Sequence, residues 1–87
     1  METIAELCDN YHDYSWQIMG IFRGPDGLVW ADDGGCSCNG PWEYDVQYFP
    51  LTEDTWKGFV KTVRGFPADA ADKDRFIVIA NRNLRQA

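Results

Sequence analysis

The sequence predicts an α+β fold, a small antiparallel sheet centred on a hairpin and packed by one or two helices. Three observations predict this class. Residues 14–31 alternate large apolar side chains on either side of a turn, which is typical of a β-hairpin. Residues 52–64 carry an apolar stripe at helical spacing, and residues 70–85 keep the same spacing. Strands followed by helices in one short chain are typical of an α+β domain.

Length and composition limit the class of protein further. The chain has 87 residues, which predicts one domain over 1–87 with a modest core. Its 45% hydrophobic and 15% aromatic residues exclude a disordered chain. No apolar run approaches the roughly 20 residues that cross a bilayer, and the N-terminus lacks a signal-peptide pattern. We therefore expect a cytoplasmic protein with no membrane partner.

The net charge of −6 is unevenly distributed along the chain. Residues 1–54 contain eleven acids and one base, whereas residues 55–87 contain three acids and seven bases. The first part therefore carries about −10 and the second about +4, by simple count. An acidic side disfavours direct DNA binding and permits a basic partner.

The opening segment has two interpretations. Ile4 and Leu7 fit helical spacing, and Thr3 with Glu6 would form a capping box. A helix this short is marginal unless it is packed. We therefore favour a strand over residues 3–8.

The hairpin over 14–31 is the clearest β element. Residues 24–27 read Gly-Pro-Asp-Gly, which predicts a type I turn, and residues 28–31 return as the partner strand. Met19 and Ile21 make one face partly apolar. The other face carries the larger side chains, and we expect the helices to cover it: Tyr14, Trp16, Ile18 and Phe22.

The helix over 52–64 has signals at both ends. Thr52 is the predicted N-cap, Leu51 and Trp56 are placed for a hydrophobic staple, and Gly65 marks the end. Four residues form its apolar stripe: Trp56, Phe59, Val60 and Val63.

Two further segments complete the prediction. Residues 44–49 are expected to be extended and to end at Pro50. Residues 75–80 are rich in β-branched side chains that suit a strand. We favour a helix over 70–85, because acids precede bases along it as a helix dipole prefers.

The most distinctive stretch runs from Val29 to Glu43. One glycine pair and an Asn-Gly-Pro turn flank two cysteines there, which predicts a compact loop with positions that tolerate positive φ and with small inward-pointing thiols. The residues predicted to hold this loop are Gly34, Gly35, Cys36, Cys38, Gly40 and Pro41.

The same stretch supplies the predicted binding residues. Asp32, Asp33 and Glu43 are expected to stay hydrated, so that they can meet a basic surface. Trp42 would be the apolar anchor between them, since exposed aromatics beside acids are typical of interfaces. The alternative, which we slightly favour, is that Trp42 folds back as a lid over the sheet.

This stretch also resembles a known group of sequences. Trp30-Ala31-Asp32-Asp33, Gly35-Cys36-Ser37-Cys38 and Pro41-Trp42-Glu43 look like the signature of small uncharacterised proteins of actinobacteriophages and their actinobacterial hosts. The similarity extends from about Tyr14 to the C-terminus. That group has no established activity, so the resemblance implies a bacteriophage source rather than a function. Its members also read as extended over residues 3–8.

Metal and thiol chemistry have few signals. Cys8, His12, Cys36 and Cys38 are the soft ligands present, but one residue between two cysteines is poor spacing for zinc or for a redox Cys-x-x-Cys pair. Asp32, Asp33 and Glu43 lack the spacing of a calcium loop. We expect no metal or cofactor, and no catalytic motif is recognisable.

The sequence therefore favours a non-catalytic, phage-type accessory protein that binds a host macromolecule, with a protein as the expected partner, through the acidic and aromatic loop. One alternative is a small metal- or thiol-dependent protein that uses Cys36 and Cys38. Another is an acidic mimic of nucleic acid. The sequence leaves the oligomeric state open.

Overall fold

A computed structural model describes residues 1–9, 15–36, 40–42 and 45–86. Over these residues one four-stranded antiparallel sheet and two helices confirm the α+β prediction. The elements in chain order are β1 (Glu2–Cys8), β2 (Ser15–Gly24), β3 (Gly27–Cys36), β4 (Phe49–Pro50), α1 (Trp56–Arg64) and α2 (Ala70–Arg85).

The strands follow the chain, so the spatial order is β1-β2-β3-β4. The strand interpretation of residues 3–8 is confirmed, and the helical alternative with its capping box is wrong. A register shift between Thr3 and Ala5 interrupts β1 near its start. The predicted hairpin is also confirmed, since β2 pairs with β3 from Gly24↔Gly27 onwards. Gly27 has φ +119°, a conformation in which a side chain would be strained.

The strand β3 is longer than the sequence predicts. The pairing with β2 continues to Ser15↔Cys36, so residues 32–36 belong to the sheet and not to a loop. Gly34 and Gly35 lie within the strand, and among the described glycines only Gly27 has positive φ. Placing the glycine pair in a compact loop was wrong, because a ten-residue β2 offers backbone partners along the whole of that stretch.

The helices cover the opposite face of the hairpin from the one predicted. The helix-covered face carries Met19 and Ile21, both fully buried, whereas Ile18 and Phe22 lie on the reverse face. The prediction assigned the helices to the face with the larger side chains. That face is instead covered by rings from a later part of the chain, Trp42 and Tyr48. The buried cluster beneath the helices is Leu7, Met19, Ile21, Leu28, Leu51, Phe59, Val63, Phe66, Phe76 and Ala80.

Helix α1 begins later than predicted. Residues 52–55 form a turn in which the Thr52 N–H donates to Thr55 Oγ1 at 2.9 Å. The Thr55 hydroxyl in turn donates to the Pro50 carbonyl at 2.9 Å. Thr52 is therefore not the N-cap; Thr55 holds that position. Gly65 ends the helix as predicted, with its N–H bonded to the Lys61 carbonyl.

Helix α2 confirms the helical interpretation of the tail and rules out a strand over 75–80. Lys73 Nζ donates to the carbonyls of Arg64 and Phe66, which ties α2 to the end of α1. Arg64 also pairs with Asp74 at 2.6 Å. The sequence predicts an extended segment over 44–49. Among the described residues of this region, strand structure is confined to the two-residue β4, which pairs with Val29 and Trp30 of β3.

Candidate functional site

Trp42 lies over the reverse face of the sheet. Its ring meets the Phe22 ring edge-on, with centroids 5.1 Å apart. Its indole Nε1 donates a hydrogen bond of 2.8 Å to Glu6 Oε2 on β1. Tyr48 approaches the same Phe22 ring at 5.5 Å. Trp42 therefore forms a lid over the reverse face, as one of the two interpretations of this residue predicted.

Asp33 holds this lid in place. Its Oδ2 accepts a hydrogen bond of 2.9 Å from the Trp42 backbone N–H, and its Oδ1 accepts one of 2.9 Å from Gly34 N–H. Trp42 has φ 67°, a left-handed conformation that costs a residue with a side chain on the order of 1–3 kcal/mol. Bonds from β1 and β3 together compensate for this cost. We call Trp42, Glu6, Phe22 and Asp33 the Trp42 latch.

Gly20 makes room for the latch. A Cβ atom built at Gly20 would lie 2.6 Å from Phe22 Cζ and 2.9 Å from Trp42 Cζ2, far inside normal contact distance. Both rings therefore lie on bare backbone at this point of β2. A glycine inside an apolar strand signals such a close approach. On sequence alone, Gly20 was assigned no role, and Glu6 was considered only as part of a capping box.

Asp32 lies on the other side of the sheet from Asp33. Neighbouring residues of a strand point to opposite faces, and Asp32 pairs with Met19 on the helix-covered face. Its side chain is exposed and has no partner among the residues that the structure describes. The four predicted binding residues are therefore not brought together: Asp33 and Trp42 share the reverse face, Asp32 is across the sheet, and Glu43 lies outside the described residues.

An open depression of about 570 Å³ lies beside Asp32, at the end of the sheet beyond the helices. Phe66 at the end of α1 lines it, with Gln17 from β2 and Gly34 from β3. A Cβ at Gly34 would approach the Trp16 carbonyl to 3.3 Å. Because Gly34 has no side chain, the backbone itself forms the floor of the depression at this point. An acid beside a partly apolar depression suits a lysine or arginine, whose stem packs on apolar surface while its head meets the carboxylate.

The residues predicted to hold a compact loop have mixed positions. Gly34 and Gly35 are in β3, and Cys36 is its last residue. Gly40 is half-buried, and Pro41 is exposed in the turn that leads to Trp42. Cys38 lies outside the described residues. Whether the thiols point inward stays a prediction, as do the binding roles of Asp33, Trp42 and Glu43.

The third cysteine, Cys8, is described in full. It is an exposed free thiol at the end of β1. Partial burial raises its pKa, and the nearby carboxylates of Glu6 and Asp9 raise it further. The described part of the chain contains no group of three or more His, Cys, Asp or Glu that could hold a metal ion. His12 and Cys38 lie outside that part, so the zinc prediction remains a prediction.

Cys8 should react slowly with iodoacetamide at neutral pH, because only the thiolate attacks and the raised pKa leaves little of it. Tryptic cleavage after Arg23 isolates Cys8 from the other two cysteines, so mass spectrometry can follow it alone. The rate should keep increasing with pH beyond the range where an unfolded control saturates. Equal rates in folded and unfolded chains at pH 7 would contradict the expectation.

Comparison with known proteins gives one match. Residues 1–83 match a family described as a domain of unknown function, DUF7574. No curated protein and no solved structure matches the chain. Among the described residues no helix is long and apolar enough to cross a membrane.

Proposed function

Since the chain belongs to the DUF7574 family, whose domain has no known function, we propose a function from its own residues. The protein is a non-catalytic, phage-type accessory protein that binds a basic host protein in the cytoplasm of the infected cell. The phage setting is supported by the resemblance of residues 30–43 to actinobacteriophage proteins. The non-catalytic character is supported by a sequence without a recognisable catalytic motif.

The observation that carries the binding proposal is Asp32. It is exposed, it has no partner among the described residues, and it borders the depression lined by Phe66 and Gly34. A carboxylate that serves no internal bond, beside a space that fits an aliphatic stem, supports recognition of a lysine or arginine. The net charge of −6 adds long-range attraction for a basic partner.

Because Asp33 and Trp42 belong to the Trp42 latch, their proposed contribution to partner binding differs from the one that the sequence predicts. Both Asp33 oxygens accept backbone N–H bonds, and Trp42 packs on Phe22. These two residues support a partner surface indirectly, because their contacts fix Trp42 over the reverse face of the sheet. The acid proposed to contact the partner directly is Asp32.

Affinity capture from an actinobacterial lysate tests the proposal. The parent chain should retain a basic protein, and Asp32→Lys should reduce the retained amount at least about tenfold, since the charge is reversed at the contact. Asp54→Lys is the matched control, because Asp54 is an exposed acid in the turn before α1 and gives the same change in net charge.

Three outcomes are decisive. Loss of capture with Asp32→Lys alone supports the proposal. Equal capture by both variants and the parent would place the binding surface elsewhere. Release of the captured protein by added duplex DNA would instead favour the acidic mimic of nucleic acid.

A further inference from the structure

The outer edge of β1 is open among the residues that the structure describes. The strand is the first of the sheet and pairs on one side only, with β2. The Asp9 N–H donates to the Gln17 carbonyl at 3.1 Å, so Asp9 and Gln17 form a hydrogen-bonded pair. Such pairs alternate along antiparallel strands, so Leu7 and Ala5 also face β2. The backbone groups of Glu6 and Cys8 therefore point outward.

The open part of this edge is short. The register shift between Thr3 and Ala5 interrupts the regular backbone, so regular pairing is available only from Ala5 to Asp9. Irregularities of this kind limit uncontrolled pairing of edge strands. The available length still provides two outward N–H groups and two outward carbonyls, enough for one short extended segment.

A groove of about 440 Å³ runs between this edge and α2. Its walls are residues Ala5–Asp9 of β1 and one side of α2. Leu7 and Phe76 form a buried apolar floor, and Ile79 is half-buried beside them. A strand added to β1 would place alternate side chains over this floor, which is the arrangement of peptide recognition by strand addition.

The charged groups around the groove determine which kind of peptide segment it favours. Asp9 and Asp72 supply two carboxylates to its lining, against one guanidinium from Arg75. The Glu6 carboxylate is not one of them, because it lies on the reverse face, bonded to Trp42 Nε1. Arg75 pairs with Asp72 within α2. The Asp9 carboxylate has no side-chain partner among the described residues. The groove therefore has an excess of one negative charge, that of Asp9, which favours lysine or arginine in the added strand.

The same charges argue against a second copy of this chain. Residues 1–9 contain three acids and no lysine or arginine. An antiparallel pair of β1 strands would bring Glu6 and Asp9 of one copy close to the same acids of the other, and like charges across strands are destabilising. An oppositely charged partner segment avoids this repulsion.

We propose that the open edge of β1 and the groove beside α2 bind an extended segment of a partner protein that alternates apolar and basic residues, as a fifth strand of the sheet. The segment takes backbone hydrogen bonds from Glu6 and Cys8, and its basic side chains meet Asp9. This surface is separate from the Asp32 depression and does not depend on it.

A short acetylated and amidated peptide that alternates lysine with valine is a direct probe. NMR titration of the full chain should shift the amides of Glu6 and Cys8 first and slow their hydrogen exchange. Two N-methylated versions of the peptide provide the sharpest control, one methylated at every lysine amide and one at every valine amide. Only one of these sets faces β1 in an added strand, so one version should lose binding and the other should keep it.

Variants of the chain test the same geometry from the other side. Cys8→Pro removes an outward N–H without removing a bond to β2, and edge strands tolerate proline at such positions. It should weaken the peptide about tenfold, whereas Cys8→Ala should not. Asp9→Asn should also weaken the peptide, and Asp54→Asn should leave it unchanged.

Equal behaviour of the two N-methylated peptides would overturn strand addition, because charge attraction alone does not distinguish them. This result stands even if Cys8→Pro fails to fold. A dimer of the free chain in sedimentation that Cys8→Pro converts to monomer would also overturn the proposal, since a second copy would then occupy the edge. Peptide binding by Asp32→Lys should match the parent, which separates this surface from the depression.

Discussion

Replacing Phe59 by alanine is expected to lower the free energy of unfolding by about 3–5 kcal/mol, the range for a fully buried aromatic. Its side chain is 1% exposed and lies at the centre of the helix-covered core. Its ring centroid is within 6.0 Å of those of Trp30, Trp56 and Phe76. The cavity left by the substitution should not close easily, because the three neighbouring rings are held in place by three different elements, β3, α1 and α2. Urea denaturation followed by far-UV circular dichroism measures the loss.

Trp56→Ala is the comparison for this prediction. The sequence places Trp56 in both the hydrophobic staple and the apolar stripe of α1, but the structure places it half-buried at the first position of the helix. It should therefore cost less than Phe59→Ala. A greater loss with Trp56→Ala would mean that α1 docks through its first turn rather than through Phe59 and Val63.

Replacing Trp42 by alanine is expected to cost about 2–3 kcal/mol, somewhat below the range for a fully buried tryptophan because the ring is half-buried. The variant loses the edge-on contact with Phe22 and the hydrogen bond to Glu6. Phe22, which is 4% exposed in the parent, should become accessible to solvent. Denaturant midpoints measure the stability, and amide exchange of β2 reports the opening of the reverse face.

Gly20→Ala tests the same latch through a double-mutant cycle. Alone it should destabilise by about 1–3 kcal/mol, because the new methyl group overlaps both rings. In the Trp42→Ala background one of those rings is absent, so the added cost should be smaller. Additive losses would show that Trp42 does not lie over Gly20. Gly58→Ala is the control, since a Cβ at this exposed helical position meets nothing within 4 Å and alanine favours the helix.

The distinctive stretch shows where reasoning from sequence stops. Its glycines, acids and turn residues favour a loop when each is considered alone. In the structure the same residues continue β3, because β2 supplies a backbone partner for every one of them as far as Cys36. Left-handed backbone occurs at Trp42 and Asp45, not at the glycines next to the cysteines. Local conformational preference is weaker here than the pairing of two long strands.

At the candidate site, too, strand pairing and not local sequence decides the roles of two neighbouring acids. Asp32 and Asp33 are equivalent in sequence, and both were expected to be hydrated. Both residues line the depression, but the register of β3 separates their side chains across the sheet, so that the Asp33 carboxylate serves the latch and the Asp32 carboxylate has no partner among the described residues. Which of two adjacent acids is available to a partner depends on strand pairing, and one residue of register would exchange their roles.

The sequence by itself determined the α+β class, the hairpin with its Gly24–Gly27 turn, and the presence of helices in the second half. These features depend on periodicity and turn chemistry, which act over a few residues and can be read locally. The tertiary structure alone decided which hairpin face the helices cover, how far β3 extends, and that Glu6 and Asp33 hold Trp42 as the lid that the sequence had left as one of two interpretations. Those outcomes depend on contacts between residues far apart in the chain, where two apolar faces compete for cover and only the assembled sheet shows which segment covers each.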